Sequence, residues 1–164
     1  MLMKHHLTAA DVANMEGTRK THFLNSQARR LNKSLGDATG LQNIGIHWVE
    51  LAPGDASTEL HRHYNEEEAV YVLEGAGQAQ LDDQIVAIGP GDFIGLPAGG
   101  PAHAVTNTGT SPLRLLVIGQ RLPSDIGDYP RLQKRLYRHG GQWDLVDISA
   151  IIDPKKSNPN AGSK

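Results

Sequence analysis

The stretch Gly54-Asp-Ala-Ser-Thr-Glu-Leu-His61-Arg62-His63-Tyr-Asn-Glu66-Glu67-Glu68-Ala-Val-Tyr-Val-Leu-Glu-Gly75 sets two histidines, a run of three glutamates and an apolar run between glycines. In an extended strand side chains alternate faces, so His61 and His63 project to one side and Arg62 to the other. Glu68 has the opposite parity to His63 and cannot share its face on one unbroken strand. Tyr64-Asn65 must therefore interrupt the strand, and Asn is a common turn former. A new strand begins near Glu66. Among the three carboxylates Glu68 is preferred as a ligand, because it opens the strand-like run Ala69-Val70-Tyr71-Val72-Leu73.

A third histidine lies in a second glycine-rich block, Gly91-Asp-Phe-Ile-Gly-Leu-Pro97-Ala-Gly99-Gly-Pro-Ala-His103-Ala-Val-Thr-Asn107. Three imidazoles and a carboxylate suit a divalent transition metal, and that donor set selects iron, manganese, nickel, copper or zinc over calcium or magnesium. A His-x-His pair alone is more often a surface or hydrogen-bonded core feature than a metal site. The two blocks supply the context that favours a metal.

Together the blocks resemble the two signature motifs of the cupin superfamily, whose first motif carries two histidines and a glutamate and whose second carries a third histidine. The resemblance spans about residues 41 to 120 and is closest to small single-domain cupins of the conserved-barrel type. Two departures are visible: six residues separate Gly54 from His61 where the usual pattern has five, and His103 lies one residue further from Gly99 than usual. Each extra residue falls in a loop before a ligand strand. The resemblance implies His61, His63, Glu68 and His103 as ligands of one divalent metal (zinc, manganese, iron or nickel), with Glu68 alone of the three acids at the family's distance from Gly75.

Eighteen glycines and nine prolines in 164 residues favour many short strands joined by turns. Strands are expected at 43–51, 58–63, 67–74, 77–81, 84–88, 92–96, 102–107 and 112–120, with tight turns at Asp82-Asp83 and Gly89-Pro90-Gly91. Eight strands at this spacing predict an all-β fold, a small antiparallel double-stranded β-helix or jelly-roll barrel. The barrel occupies 41–120. Residues 1–40 read as a polar N-terminal arm with little period beyond a helical turn after Thr8. Residues 121–153 read as a C-terminal extension packing on the barrel, with a strand or helix near Arg131–Tyr137 and a turn at Gly140-Gly141. Residues 154–164 have the composition of a disordered tail, and no internal repeat is visible.

The absence of cysteine excludes disulfides and thiolate ligands. With neither a secretory signal nor eighteen consecutive apolar residues, a cytoplasmic protein without a membrane span is expected. Charge is uneven: residues 1–40 hold six Lys or Arg against three acids, 41–128 three against twelve, and 129–164 seven against three. The basic flanks are expected to cover the acidic barrel or a second subunit. They lack the stacking aromatics of single-strand binders and any helix-turn-helix pattern, so nucleic-acid binding is not expected. A homodimer is expected, with the polar arm reaching a neighbour.

No lysine occurs from Ser34 through Gln133. The barrel strands thus offer no amine nucleophile and no lysine clamp for phosphate. Arg62 points away from the metal, which leaves Arg114 and Arg121 to hold an acidic ligand; for Arg114 a pocket role and a surface role are equally open. Trp48 and Tyr71 read as packing residues. His47 faces opposite to Trp48, as a half-buried histidine or a proton carrier, and His5, His6, His22 and His139 as structural or exposed. Asn107 reads as a loop-bonding residue, and Glu66 as a solvated strand end or a base behind the ligands.

An ion in a small barrel would leave coordination positions open to a small-molecule ligand. Three functional readings follow: a metal-dependent enzyme on a small polar substrate, either a sugar or sugar-phosphate isomerase or an iron(II) dioxygenase; a metal-dependent binding or sensing module; and a barrel stabilised by its metal. Spacing alone does not choose among them.

Overall fold

From Ile44 to Gln120 the inward positions of successive strands carry the apolar residues, and their alternation closes the fold around one core. The computed structural model describes residues 4–155. Its strands are β1 (Thr18–His22), β2 (Asn25–Ser34), β3 (Ile44–Leu51), β4 (Arg62–His63), β5 (Glu68–Glu74), β6 (Gly77–Leu81), β7 (Gln84–Ile88), β8 (Phe93–Leu96), β9 (His103–Thr106), β10 (Leu113–Gln120), β11 (Ser124–Tyr129), β12 (Lys134–His139) and β13 (Gln142–Asp147). Two short helices, α1 (Ala9–Asn14) and α2 (Leu35–Thr39), flank the first hairpin.

The strands form a six-stranded sheet in the order β1-β2-β3-β10-β5-β8, a three-stranded sheet β7-β6-β9 and a four-stranded sheet β13-β12-β11-β4. All pairings are antiparallel. Val49 and Leu51 on β3, Val70 and Val72 on β5, Ala79 on β6, Leu96 on β8, Val105 on β9, and Leu113 and Leu115 on β10 meet in the core. Burying a side chain of this kind contributes roughly 1.5–3 kcal/mol. The antiparallel all-β jelly-roll reading agrees with these strands.

The same parity that fills the core builds the cavity beside it. His47 precedes Val49 and Leu51 by even steps, Glu68 precedes Val70 and Val72, and His103 precedes Val105. Each strand is apolar where it meets the core and polar where it leaves it.

The first forty residues depart from the expected arm. Thr8 caps α1 with a reciprocal capping box through Asp11, as the helical turn after Thr8 foreshadowed. Residues 18–34 then form the β1-β2 hairpin, and β2 pairs with β3 in the barrel sheet. The inward face of β2 carries Ala28, Arg30 and Asn32, so it shows no hydrophobic alternation. At the other end, β11, β12 and β13 form a meander that attaches to the barrel through β4. The expected disordered tail falls mostly on 156–164, outside the described residues.

Candidate metal centre

His61 and His103 face each other across a two-way main-chain bridge, His61 N to His103 O at 3.2 Å and His103 N to His61 O at 2.7 Å. His63 follows on β4, where Arg62 and His63 pair with Asp128 and Gly127 of β11. The chain bends at Tyr64–Asn65 and re-enters as β5 at Glu68. The structure thereby brings together His61, His63, Glu68 and His103, with one ligand atom from each lying within 4.8 Å of the others.

Their outer atoms decide what the inner atoms can do. His61 Nδ1 donates to Glu59 O (2.9 Å), His103 Nδ1 to Pro101 O (3.3 Å) and His63 Nδ1 to Asp125 Oδ2 (2.5 Å). Carbonyl and carboxylate oxygens only accept, so each Nδ1 carries the hydrogen and each Nε2 of a neutral ring presents a lone pair inward. Those lone pairs converge: His61 Nε2 lies 3.0 Å from His63 Nε2, and Glu68 Oε2 lies 2.9 Å from His103 Nε2 and 3.5 Å from His63 Nε2. Four acceptors aimed at one another repel unless a cation stands among them. The donor set fits a divalent transition metal.

Electrostatics agrees. Burial, reinforced by neighbouring His103, pushes His61 down to about 3, so its ring is neutral near pH 7. Burial alone would raise Glu68, but without a cation a proton on His103 Nε2 bonds to it, and with the charge that the surrounding histidines can carry this holds it at about 2. For His63 burial works downward, and the Asp125 hydrogen bond with the nearby carboxylates overcomes it and raises the ring above its ordinary value.

Asp125, on β11, was not legible as part of the site. It is only 5% exposed, and its second oxygen accepts from the main-chain N–H groups of Asn65 and Glu66. It therefore holds both the His63 ring and the bend that returns the chain to Glu68. Glu66 is likewise buried, which corrects its reading as a solvated strand end: it pairs with Arg138 of β12 and accepts from Leu122 N. Atoms of His63, Glu66 and Asp125 also lie within 4.8 Å of one another. Their hydrogen bonds already account for both carboxylates as supports.

His61, Glu68 and His103 open onto an inner cavity of about 250 Å³, lined by apolar side chains of β3, β5, β8 and β10 and by Asn32, His47, Ser57 and Thr58. A wider mouth of about 690 Å³ shares His61 and Glu68 and adds His63, His22, Arg121, Tyr129 and Arg138. Lys20 and Arg30 line both. This corrects the expectation that the ligand cavity lacks a lysine and must rely on Arg114 and Arg121. The amine comes from outside the lysine-free interval, on β1. Arg114 points outward, paired with Glu50 and Glu74 and lying over Trp48; Arg121 is at the mouth, paired with Asp37. Arg62 turns away to Asp82, as alternation required.

His47 faces the cavity with its Nδ1 2.9 Å from Ser34 Oγ and 3.3 Å from Asn32 Nδ2. Burial and then Arg121 lower its pKa. Asn107 serves the loop, donating to Leu51 O and Ser111 O and accepting from Gly109 N. Tyr71 is exposed, and Trp48 packs under Lys33 and Arg114. His22 stacks on Phe23, edge-on to Tyr129 at the mouth. No helix among the described residues is long and apolar enough to cross a membrane.

A model of the cupin domain matches residues 47–119. Over 92% of its length the chain superposes on 96% of the Acidithiobacillus ferrooxidans protein named "Putative sugar phosphate isomerase", at 51% identity and a TM-score of 0.90. A sugar phosphate isomerase of the cupin superfamily from Silicibacter pomeroyi aligns over 85% of this chain and 90% of its own at 28% identity, with a TM-score of 0.75. A 66-residue stretch, 40% of the chain, is 39% identical to an uncharacterised Methanocaldococcus jannaschii protein; it spans 52% of that relative, about half its length. Motifs, barrel and relatives agree, and the chain belongs to the cupin superfamily.

Proposed function

We propose that this protein is a metal-dependent cupin that isomerises a small phosphorylated sugar at the His61, His63, Glu68 and His103 centre. The observation that carries the reading is the convergence of four acceptor atoms, their outer hydrogens tied back, on the wall of a cavity sized for a small metabolite. The two similar structures named as sugar phosphate isomerases support the substrate class. A divalent cation held there would polarise the carbonyl and neighbouring hydroxyl of an aldose or ketose and acidify the C–H bond beside them.

The remaining work falls to the chain's own groups. His47 is the proton carrier: burial keeps its imidazole neutral, its Nδ1 is held by Ser34 and Asn32, and the ring faces the cavity. Tyr129, pushed up to about 12 by burial, stays protonated at the mouth and offers a hydrogen bond to a sugar oxygen. The apolar walls from β3, β5 and β10 exclude water from the far end of the cavity.

The test is solvent exchange. Tag-free protein with its native metal identified is incubated in D2O with a panel of aldose and ketose phosphates, and NMR follows deuterium uptake at the carbon next to the carbonyl. Uptake with interconversion, abolished in His61→Ala and His103→Ala, is the expected result. No exchange across the panel, or oxygen consumption with iron(II) in its place, overturns the isomerase reading.

A further inference from the structure

The β1-β2 hairpin contains an arrangement that the barrel does not need for folding. Lys20 and Arg30 are directly opposite each other in its register, and like charges directly opposite across an antiparallel pair are destabilising. No carboxylate among the described residues forms an ion pair with either one, whereas Arg29, the neighbour of Arg30, is neutralised by Asp55. Both uncompensated cations line the inner cavity and its mouth.

Arg30 is also held in place. Its Nη1 donates to Ser57 O, and Ser57 is fixed to β9 through Ser57 N to Val105 O (2.7 Å) and Val105 N to Ser57 Oγ (3.1 Å). Guanidinium has five N–H donors, and the Ser57 bond uses one. Arg30 shares the inward parity of Ala28 and Asn32, both buried, and its side chain lines the cavity with four donors not used by Ser57. It occupies a half-buried position where burial works against its charge, and the Glu68 carboxylate opposes that effect from across the cavity. A fixed fork with an ammonium beside it matches a phosphoryl dianion.

We propose that Lys20 and Arg30 form an anion subsite that binds the phosphoryl group of the substrate, with the β1-β2 hairpin acting as the specificity element of the centre. This rests on the sugar phosphate reading above and assigns its phosphate end. The hairpin lies outside the residues that match the cupin domain, 47–119, so the metal centre and the phosphate subsite come from separate segments of the chain. The barrel would set the chemistry, and the hairpin would choose phosphorylated over neutral sugars.

Calorimetry and thermal denaturation with inorganic phosphate, ribose 5-phosphate and ribose test the subsite, using protein with its metal and protein treated with a chelator. Phosphate and ribose 5-phosphate are expected to bind and stabilise both forms, more weakly as salt rises, and ribose to bind at least tenfold more weakly than its phosphate. Lys20→Gln and Arg30→Gln should each weaken phosphate at least tenfold while their ligand-free melting temperatures hold or rise, because like-charge repulsion is relieved; Arg30→Lys should recover part of the affinity. Lys134→Gln, whose lysine pairs with Asp147 on the outer sheet, should bind as the parent does. Should Arg30→Gln not fold, Lys20→Gln decides. The subsite is wrong if the parent does not bind phosphate, or if both variants bind it unchanged. Metal content is read in the untreated samples: phosphate binding by untreated protein that was purified without a metal and takes none up when zinc, manganese, iron or nickel is added would remove the metal-dependent isomerase and leave the subsite standing.

Discussion

Asp125 shows how one residue far from the motif in sequence governs it. Its carboxylate accepts from His63 Nδ1 at 2.5 Å and from two main-chain N–H groups of the bend before Glu68. It thereby orients one ligand and raises that ligand's basicity, and loss of such a partner typically costs 10–100-fold in metal affinity. Asp125→Asn is expected to bind zinc about 10–100-fold more weakly at pH 8 by calorimetry. The proton bookkeeping adds a second readout. Cation and proton compete for His63 Nε2, and in the parent the His63 pKa is raised by Asp125 against the opposing effect of burial. The parent should therefore start to lose affinity on acidification from above pH 6.5, and the variant only at lower pH. An unshifted onset would mean that Asp125 does not set the basicity of His63. The motif residues themselves were legible because their spacing obeys strand parity. Asp125 was not, because its partner lies 62 positions away and nothing near it in sequence marks a ligand.

Elements were legible where burial imposes a pattern. Strands β3 and β5–β10 all fell within a residue or two of expectation, since each alternates apolar and polar residues or is bounded by a glycine turn. The expected 58–63 strand is shorter, reduced to the His61 bridge and β4. Strand β2 was hidden because its inward positions line a cavity with Arg30 and Asn32 instead of entering the core, so a functional face looked like a polar arm. The same wall explains why the lysine census missed Lys20. Gly75, between β5 and β6, has φ +89°, and a Cβ there would lie 2.5 Å from Pro112 O and 2.9 Å from Leu113 Cα, both backbone atoms. Neither can yield without moving β10. Gly75→Ala is thus expected to cost about 3 kcal/mol, a melting-temperature drop of roughly 6–12 °C for a chain of this size. A drop below about 2 °C would show that this turn relaxes freely. Gly91→Ala, also at positive φ but with open space around its Cβ position, should cost less.

On the scale of the whole molecule the homodimer expectation has lost its first reason, because residues 18–34 pair within their own barrel sheet. A second ground replaces it: Tyr71 and Phe93 are opposite each other on β5 and the edge strand β8, 40% and 66% exposed, and an apolar sheet edge invites pairing. We propose a dimer through that edge. Light scattering should give twice the chain mass, falling to the chain mass in Phe93→Lys; a parent at the chain mass would refute the pairing.

Stability against pH follows from the groups that the fold gathers at one end of the barrel. The folded pKa of His61 is depressed to about 3 from 6.5, so below pH 6.5 the unfolded chain takes up a proton that the folded one refuses, and stability falls toward pH 3. Glu68, at about 2, and Asp125, also lowered, act in the same direction below the ordinary carboxylate range. His63 acts oppositely: its folded pKa is raised, so its contribution is fully present below 6.5 and is lost as pH rises through the folded value. Chelator-treated protein should accordingly show its highest melting temperature near neutrality, with a steeper fall on the acid side, where three groups act together. Added metal should raise the curve at and above neutrality and widen its alkaline side, because the cation replaces the His63 proton, and should add little on the acid side, where protons displace it. A melting temperature that stays level from pH 7 to pH 4 after chelation would contradict the burial of neutral His61, and with it the packing that aims the three imidazoles at one point.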